Sequence, residues 1–251
     1  MKKQTVIKRE DGININATYS SRAGSKSIII LVHGFPKADN KDNNLFQFLA
    51  EEIPTYAAST LLFDYSSCDY TSGETEDFTI QSAGKDLEAI YIWAERMGYE
   101  NFGIIAEGLG APIMLSRPPE NTILSILFWP ALDLEHVKKS LFRANEHTKD
   151  IQTQGWFEYD NVKIGQELVE ELNQDSAIND MERFNAPTLI LHGEKDTVFP
   201  ALHIDVAREH LMARRLEITT LDGAGAGLSR ASDRKCCLMH INQFLLRYIE
   251  Q

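Results

Sequence analysis

A tight turn with glycine at its apex is the most chemically telling feature of this sequence. Ala106-Glu107-Gly108-Leu109-Gly110 follows the apolar run Phe102-Gly103-Ile104-Ile105 and precedes Ala111-Pro112-Ile113-Met114-Leu115, which can open a helix. The spacing predicts strand, turn, helix. In a nucleophile elbow, G-x-S-x-G, the apex is a serine whose hydroxyl is lifted above the edge of a sheet. Such a serine attacks an acyl carbon only as an imidazole removes its proton, with a carboxylate orienting that imidazole. Here the apex is Gly108, which carries no nucleophilic atom.

Other side chains could supply acyl-transfer chemistry from displaced positions. Ser66, Ser67 and Cys68 follow Asp64, and Ser229 and Ser232 lie beyond a glycine-rich stretch at 222–227. Loop serines are usually turn formers. Cys236 and Cys237 fall inside the predicted last helix, where packing accounts for them. Of the seven histidines, His33 and His192 begin strand-end loops that their rings can hydrogen-bond, while His203, His210 and His240 fall in predicted helices. No histidine pair has H-E-x-x-H spacing, so no metal is expected. Gly108-Leu109-Gly110 does not complete G-x-G-x-x-G and has no convincing acidic partner downstream, so no dinucleotide or other cofactor is expected.

The elements that must position these residues alternate. Ile13, Ile15, Ala17 and Tyr19 predict a strand with one wet face, and Ser27 to Val32 a central strand that is apolar throughout. Helical spacing at Asn44–Tyr56 is followed by a strand at Thr60–Asp64 and a polar loop at 65–77. Thr79–Met97 predicts a helix with Asp77 placed to cap it. Further strands are predicted at Thr122–Trp129, Thr188–Leu191 and Leu216–Leu221, and a last helix at Ser232–Ile249. The pattern implies an α/β fold with a mainly parallel, doubly wound sheet. From Ala131 to Ala186 the alternation breaks. That stretch reads as an insertion with charged helices at Leu134–Asn145 and Ile164–Asn173 around Trp156-Phe157-Glu158-Tyr159. It is either a helical excursion with its own small core or a lid over a pocket.

Composition bounds the partners. The chain has 251 residues, 43% of them hydrophobic, enough for a sizeable core. Its net charge of −12 argues against a nucleic-acid surface, which needs clustered Lys and Arg in excess. The longest apolar run, Ile28–Val32, is far short of the roughly 20 residues a bilayer takes, so no membrane partner is expected. Met1-Lys2-Lys3-Gln4 has no apolar stretch behind it and reads as no signal peptide. Three cysteines, two of them adjacent, give no disulfide framework and fit a reducing, cytoplasmic compartment.

Five segments in order carry a resemblance: His33-Gly34-Phe35, Phe63-Asp64-Tyr65 before a loop ending in Ser72-Gly73, the glycine elbow, His192-Gly193-Glu194-Lys195-Asp196, and Asp222-Gly223-Ala224-Gly225-Ala226-Gly227. Over almost its whole length the chain resembles the α/β-hydrolases of the serine esterase and aminopeptidase type. The resemblance implies a core of residues 1–130 and 187–251 with a small helical cap at 131–186. It implies a triad in the order serine, acid, histidine, whose positions fall on Gly108, Asp196 and Ala226; only the acid is retained. Backbone oxyanion donors are implied at Phe35 and Leu109, and pocket contacts at His33, Gly34, Glu107, Trp156 and Phe157. The function implied is binding of a small acyl, ester or carboxylate ligand, or of a protein partner or second copy, without ordinary acyl-enzyme chemistry. Two alternatives stand beside it: an active carboxylesterase with a displaced nucleophile, and an engineered inactive variant of an active parent. Tyr65-Ser66-Ser67-Cys68-Asp69, where active relatives more often carry arginine and glycine, favours natural loss.

Overall fold

Residues 27–32 are buried on both faces of the strand they form, as the apolar run Ile28–Val32 requires, and the sheet extends outward from them. The computed structural model describes residues 2–35, 45–68, 74–142, 147–159, 162–225 and 230–249. A polar hairpin, β1 (Lys2–Lys8) and β2 (Asn14–Ser20), precedes the central strand β3 (Ser27–Val32), helix α1 (Leu45–Tyr56) and strand β4 (Ser59–Phe63). A 3-10 turn at Thr75–Asp77 leads into α2 (Ile80–Arg96), β5 (Asn101–Glu107), the short α3 (Gly110–Ser116) and β6 (Thr122–Phe128). The segment that breaks the alternation holds α4 (Leu134–Phe142), α5 (Thr148–Gln154), the hairpin β7 (Trp156–Tyr159) and β8 (Val162–Gly165), α6 (Gln166–Glu171) and α7 (Gln174–Arg183). The core then resumes with β9 (Thr188–Gly193), α8 (Leu202–His210), β10 (Leu216–Leu221) and α9 (Ala231–Ile249).

Among the described residues the main sheet has eight strands in the order β1-β2-β4-β3-β5-β6-β9-β10. Strands β3 to β6, β9 and β10 pair in parallel, and β1 and β2 join antiparallel at one edge. Alternate residues of β3 serve opposite layers. Ile28, Ile30 and Val32 pack with Leu87 of α2 and Ile113 of α3, whereas Ile29 and Leu31 pack with Leu49 of α1 and Ile241 of α9. Because β4 lies on one side of β3 and β5 on the other, the winding direction reverses there. The carboxyl ends of β3 and β5 therefore mark the switch point, where open α/β sheets place their ligand crevice.

Two local readings of the sequence need correction. Helix α2 is capped by Thr79, not Asp77: Thr79 Oγ1 accepts the Ser82 N–H at 2.9 Å while Ser82 Oγ accepts the Thr79 N–H at 3.0 Å. Asp77 closes the preceding 3-10 turn instead. The helix predicted at Ile164–Asn173 starts as strand β8, because Phe157 and Ile164 pair across a hairpin and bury one face. Both side chains belong to the main core: Phe157, Ile164 and Met181 share one apolar cluster with Phe35 and Phe78. Among the described residues the inserted segment therefore has no separate core.

Two polar ties fix the periphery. Arg9, at the end of β1, donates to Asp86 of α2 at 2.9 Å, and Asp86 also accepts the Ser66 N–H at 2.8 Å. Lys163 of β8 pairs with Glu74 at 3.0 Å and Glu76 at 2.8 Å, and its N–H donates to Thr75 Oγ1. No helix among the described residues is long and apolar enough to cross a membrane.

Candidate active-site crevice

The elbow is built by glycines at two positions where a side chain would not fit the backbone. Gly110, the first residue of α3, lies so close to the end of β3 that a Cβ there would stand 2.5 Å from the Val32 carbonyl oxygen and 2.8 Å from that of His33. Gly108 has φ +51°, a conformation side chains disfavour. Its N–H donates to the Phe128 carbonyl at 3.2 Å, and its own carbonyl accepts the Ala131 N–H at 3.0 Å, which fixes the turn to the end of β6. A Cβ at 108 would point between Gly34 Cα, 3.9 Å away, and the ring of Phe199, 3.3 Å away.

Phe199 comes from the loop after β9, which Asp196 organises. The Asp196 carboxylate is 5% exposed, and its Oδ1 accepts the N–H groups of Val198 at 2.8 Å and Phe199 at 2.9 Å. Among the described residues its buried Oδ2 has no hydrogen-bond partner. His192 holds the same loop from the strand end. A carbonyl can only accept, so His192 Nε2–H donates to the Phe199 carbonyl at 2.7 Å. The chain leaving β10 passes alongside, with the Lys195 N–H donating to the Ala224 carbonyl at 2.8 Å.

The third wall is the turn after β3. His33 Nδ1 hydrogen-bonds the Gly34 carbonyl at 2.7 Å, and Tyr65 donates its hydroxyl to the His33 carbonyl at 3.1 Å from a ring 4.5 Å away. Complete burial raises the Tyr65 phenol well above its ordinary pKa, so it stays a neutral donor. The Gly34 N–H points at Glu107 Oε1, 3.4 Å away. Phe35 is buried and stacked on Phe78, with ring centres 3.9 Å apart and planes at 12°.

The fold has counterparts among solved structures, although no family model and no curated protein matches the sequence. Est1E from Butyrivibrio proteoclasticus with ferulic acid bound is similar at TM-score 0.83 and 15% identity, covering 98% of this chain and 100% of that one. Alpha/beta hydrolase domain-containing protein 10 from mouse gives 0.78 at 17% identity over 98% and 99%. The esterase domain of a Rhodothermus marinus protein gives 0.74 at 17% over 99% of each chain. The chain has the α/β-hydrolase fold.

The α/β-hydrolase core brings His33, Gly34, Phe35, Glu107, Gly108 and Leu109 to the switch point between β3 and β5. Asp196 reaches the same crevice through its loop partner Phe199. Ala226 lies outside the described residues, as does Ser229. Phe157 is fully buried and stacked with His147 at 4.3 Å, while Trp156 is half-buried with Lys163 Nζ 4.8 Å from its ring centre. Of the displaced nucleophile candidates, Ser66 has its hydroxyl on the Asp86 carboxylate at 3.0 Å. Burial pushes the Asp86 carboxyl up, against the pull of Ser66 and Arg9. Ser67 is buried, and Ser232 is exposed beside Asp233. Burial pushes the Cys237 thiol up to about 12, the wrong direction for a nucleophile.

Sequence reasoning missed Phe199, and it missed a histidine pair behind it. His203, fully buried on α8, accepts the Asp133 N–H on Nδ1 at 2.9 Å and meets His136 Nδ1 through Nε2 at 3.1 Å. Its ring stands edge-on to Phe199, with centres 5.4 Å apart. An amide N–H can only donate, so the His203 proton is on Nε2 and His136 Nδ1 must accept it. Both acceptor nitrogens are thereby used, and neither ring has a lone pair left to act as a general base. Among the described residues no group of three or more His, Cys, Asp or Glu could hold a metal ion.

Proposed function

We propose that this α/β-hydrolase-fold protein has lost acyl transfer and binds a small acyl- or carboxylate-bearing molecule in the crevice over Gly108. The observation that carries the reading is the apex itself: a glycine at φ +51° with a phenyl ring beside the space a nucleophile would fill. Attack on an acyl carbon needs a nucleophilic atom and an adjacent base, and neither Gly108 nor the sequence position of Ala226 supplies one. The displaced candidates are poor substitutes, since the Ser66 hydroxyl is held by a buried carboxylate and the histidine pair has no free acceptor. Binding survives such losses more readily, because the oxyanion donors of this fold are backbone amides. Here those are the N–H groups of Phe35 and Leu109, the Gly34 N–H being directed at Glu107. The ferulic acid bound to Est1E from Butyrivibrio proteoclasticus is itself an aromatic carboxylate, which makes aromatic acids the first ligands to try. The inserted segment 131–186 serves in this reading as a cap seated on the 74–77 turn through Lys163.

Intact-mass analysis after incubation with a fluorophosphonate probe, alongside hydrolysis of short-chain p-nitrophenyl esters, tests the reading. The expected result is no adduct and no turnover above buffer. A stoichiometric adduct with turnover overturns it. Binding is read from the melting temperature over an aromatic-acid series, where ligand at a hundredfold Kd stabilises by about 2.7 kcal/mol.

A further inference from the structure

The His136–His203 pair has a property that the binding reading does not use. Its two rings and the Asp133 N–H form one string of hydrogen bonds in which every acceptor nitrogen is occupied: Asp133 N–H to His203 Nδ1 at 2.9 Å, then His203 Nε2–H to His136 Nδ1 at 3.1 Å. A proton added at His203 Nδ1 would face the Asp133 N–H, and one added at His136 Nδ1 would face the His203 N–H. The string accepts a proton only by breaking.

What breaks is specific. Asp133 immediately precedes α4, and three of the free N–H groups at that helix start are satisfied by side chains. The Asp133 N–H goes to His203 of α8, the Leu134 N–H to Gln174 Oε1 of α7 at 2.5 Å, and the His136 N–H to Asp133 Oδ1 at 2.8 Å. Two of these involve a titratable partner, the His203 ring and the Asp133 carboxylate, and of the two only the His203 contact crosses to another helix. At the other end, His203 stands edge-on to the Phe199 ring that lies against Gly108. The pair thus joins the first turn of the inserted segment to the residue covering the crevice.

We infer that the His136–His203 pair is a proton-sensitive latch: protonation parts the start of α4 from α8 and releases Phe199 from its place beside Gly108. The titratable groups facing His203 are Asp133 and His136 from the start of α4 and His192 from the end of β9. Burial is the largest influence and holds the ring neutral down to about 4; His136 and His192 act with it, and the Asp133 carboxylate acts against it. The latch stays shut at neutral pH and opens in acid.

Amide hydrogen exchange of the full chain, read by mass spectrometry at pH 7 and pH 4 and corrected for intrinsic rates, tests the latch. Peptides covering 131–140 and 197–205 should open more readily at pH 4, by about tenfold for each pH unit below the ordinary histidine pKa, while the β5 peptide 101–107 keeps its protection. His203→Asn keeps an acceptor near the Nδ1 position and cannot titrate, so its 131–140 peptide should show no such change. His136→Gln, on a half-buried position, is a second variant and should weaken the pH response without unfolding the chain. Equal corrected protection at the two pH values overturns the latch. So does a pH response that persists in His203→Asn, or loss of protection in β5 together with 131–140.

Discussion

Gly108 and Asp196 show opposite responses to a lost partner. At Gly108 the side chain is gone and the backbone conformation suits what remains. A serine there would adopt φ near +51° and bring a Cβ to 3.3 Å from Phe199 Cε2, so the ring would have to shift. Gly108→Ser should lower stability by roughly 1–3 kcal/mol and depress the melting temperature; an unchanged or higher value would show that the turn tolerates a nucleophile without strain. At Asp196 the carboxylate persists, with Oδ1 holding two N–H groups and Oδ2 buried without a partner. Asparagine can keep the two-donor contact while removing the charge, whereas alanine orphans both N–H groups. Urea midpoints should therefore place Asp196→Asn at or above the parent and Asp196→Ala below it by about 1–3 kcal/mol. The loop that holds Asp196 was legible in the sequence because it is local, three residues from Phe199 and four from His192. The crevice around it was not. Phe199 meets Gly108 across 91 positions of chain and His203 meets His136 across 67, juxtapositions that spacing along a sequence does not encode.

Strands and helices were legible in proportion to how much of each is buried. Ser27–Val32, apolar from Ile28 onward, is read correctly to the residue, because only a two-sided buried strand uses such a run. Strand β1 was missed: Lys2, Lys3, Gln4 and Lys8 make an exposed edge whose polarity reads as tail rather than sheet. The β7–β8 hairpin was missed because its short apolar pairs sit among charges, and Lys163 with Glu74 and Glu76 ties it down from outside. The β1–β2 hairpin is held to α2 by a different device, the buried Arg9–Asp86 pair, whose side chains are 7% and 1% exposed. Removing one member leaves the other charge desolvated. Arg9→Met should destabilise by about 3–5 kcal/mol in urea unfolding, while the double change Arg9→Met with Asp86→Leu should recover much of that loss. A double variant no better than the single would mean that Ser66, which also donates to Asp86, is the stronger tie.

The architecture of the whole molecule gathers His33, Gly34, Glu107 and Gly108 at the switch point of its sheet, and the same architecture buries a titratable group in an unfavourable place. His203 is fully buried on α8, and burial lowers its pKa from 6.5 to about 4. An unfolded chain takes up this proton first. The neutral ring therefore contributes stability that is fully present above about pH 6.5 and is lost progressively as pH falls toward 4, a loss on the order of 3 kcal/mol. The rest of the molecule pulls the other way over part of this range, since acidification discharges carboxylates in a chain of net charge −12 and relieves its self-repulsion. The two effects separate in a comparison of slopes. Urea unfolding at several pH values between 7.5 and 4.5 should show stability falling more steeply in the parent than in His203→Asn, with a difference in slope approaching one proton per molecule near the middle of the range. Parallel curves would mean that the folded chain admits the proton at His203 as readily as water does, and both the buried string of hydrogen bonds and its consequence for the crevice would have to be abandoned.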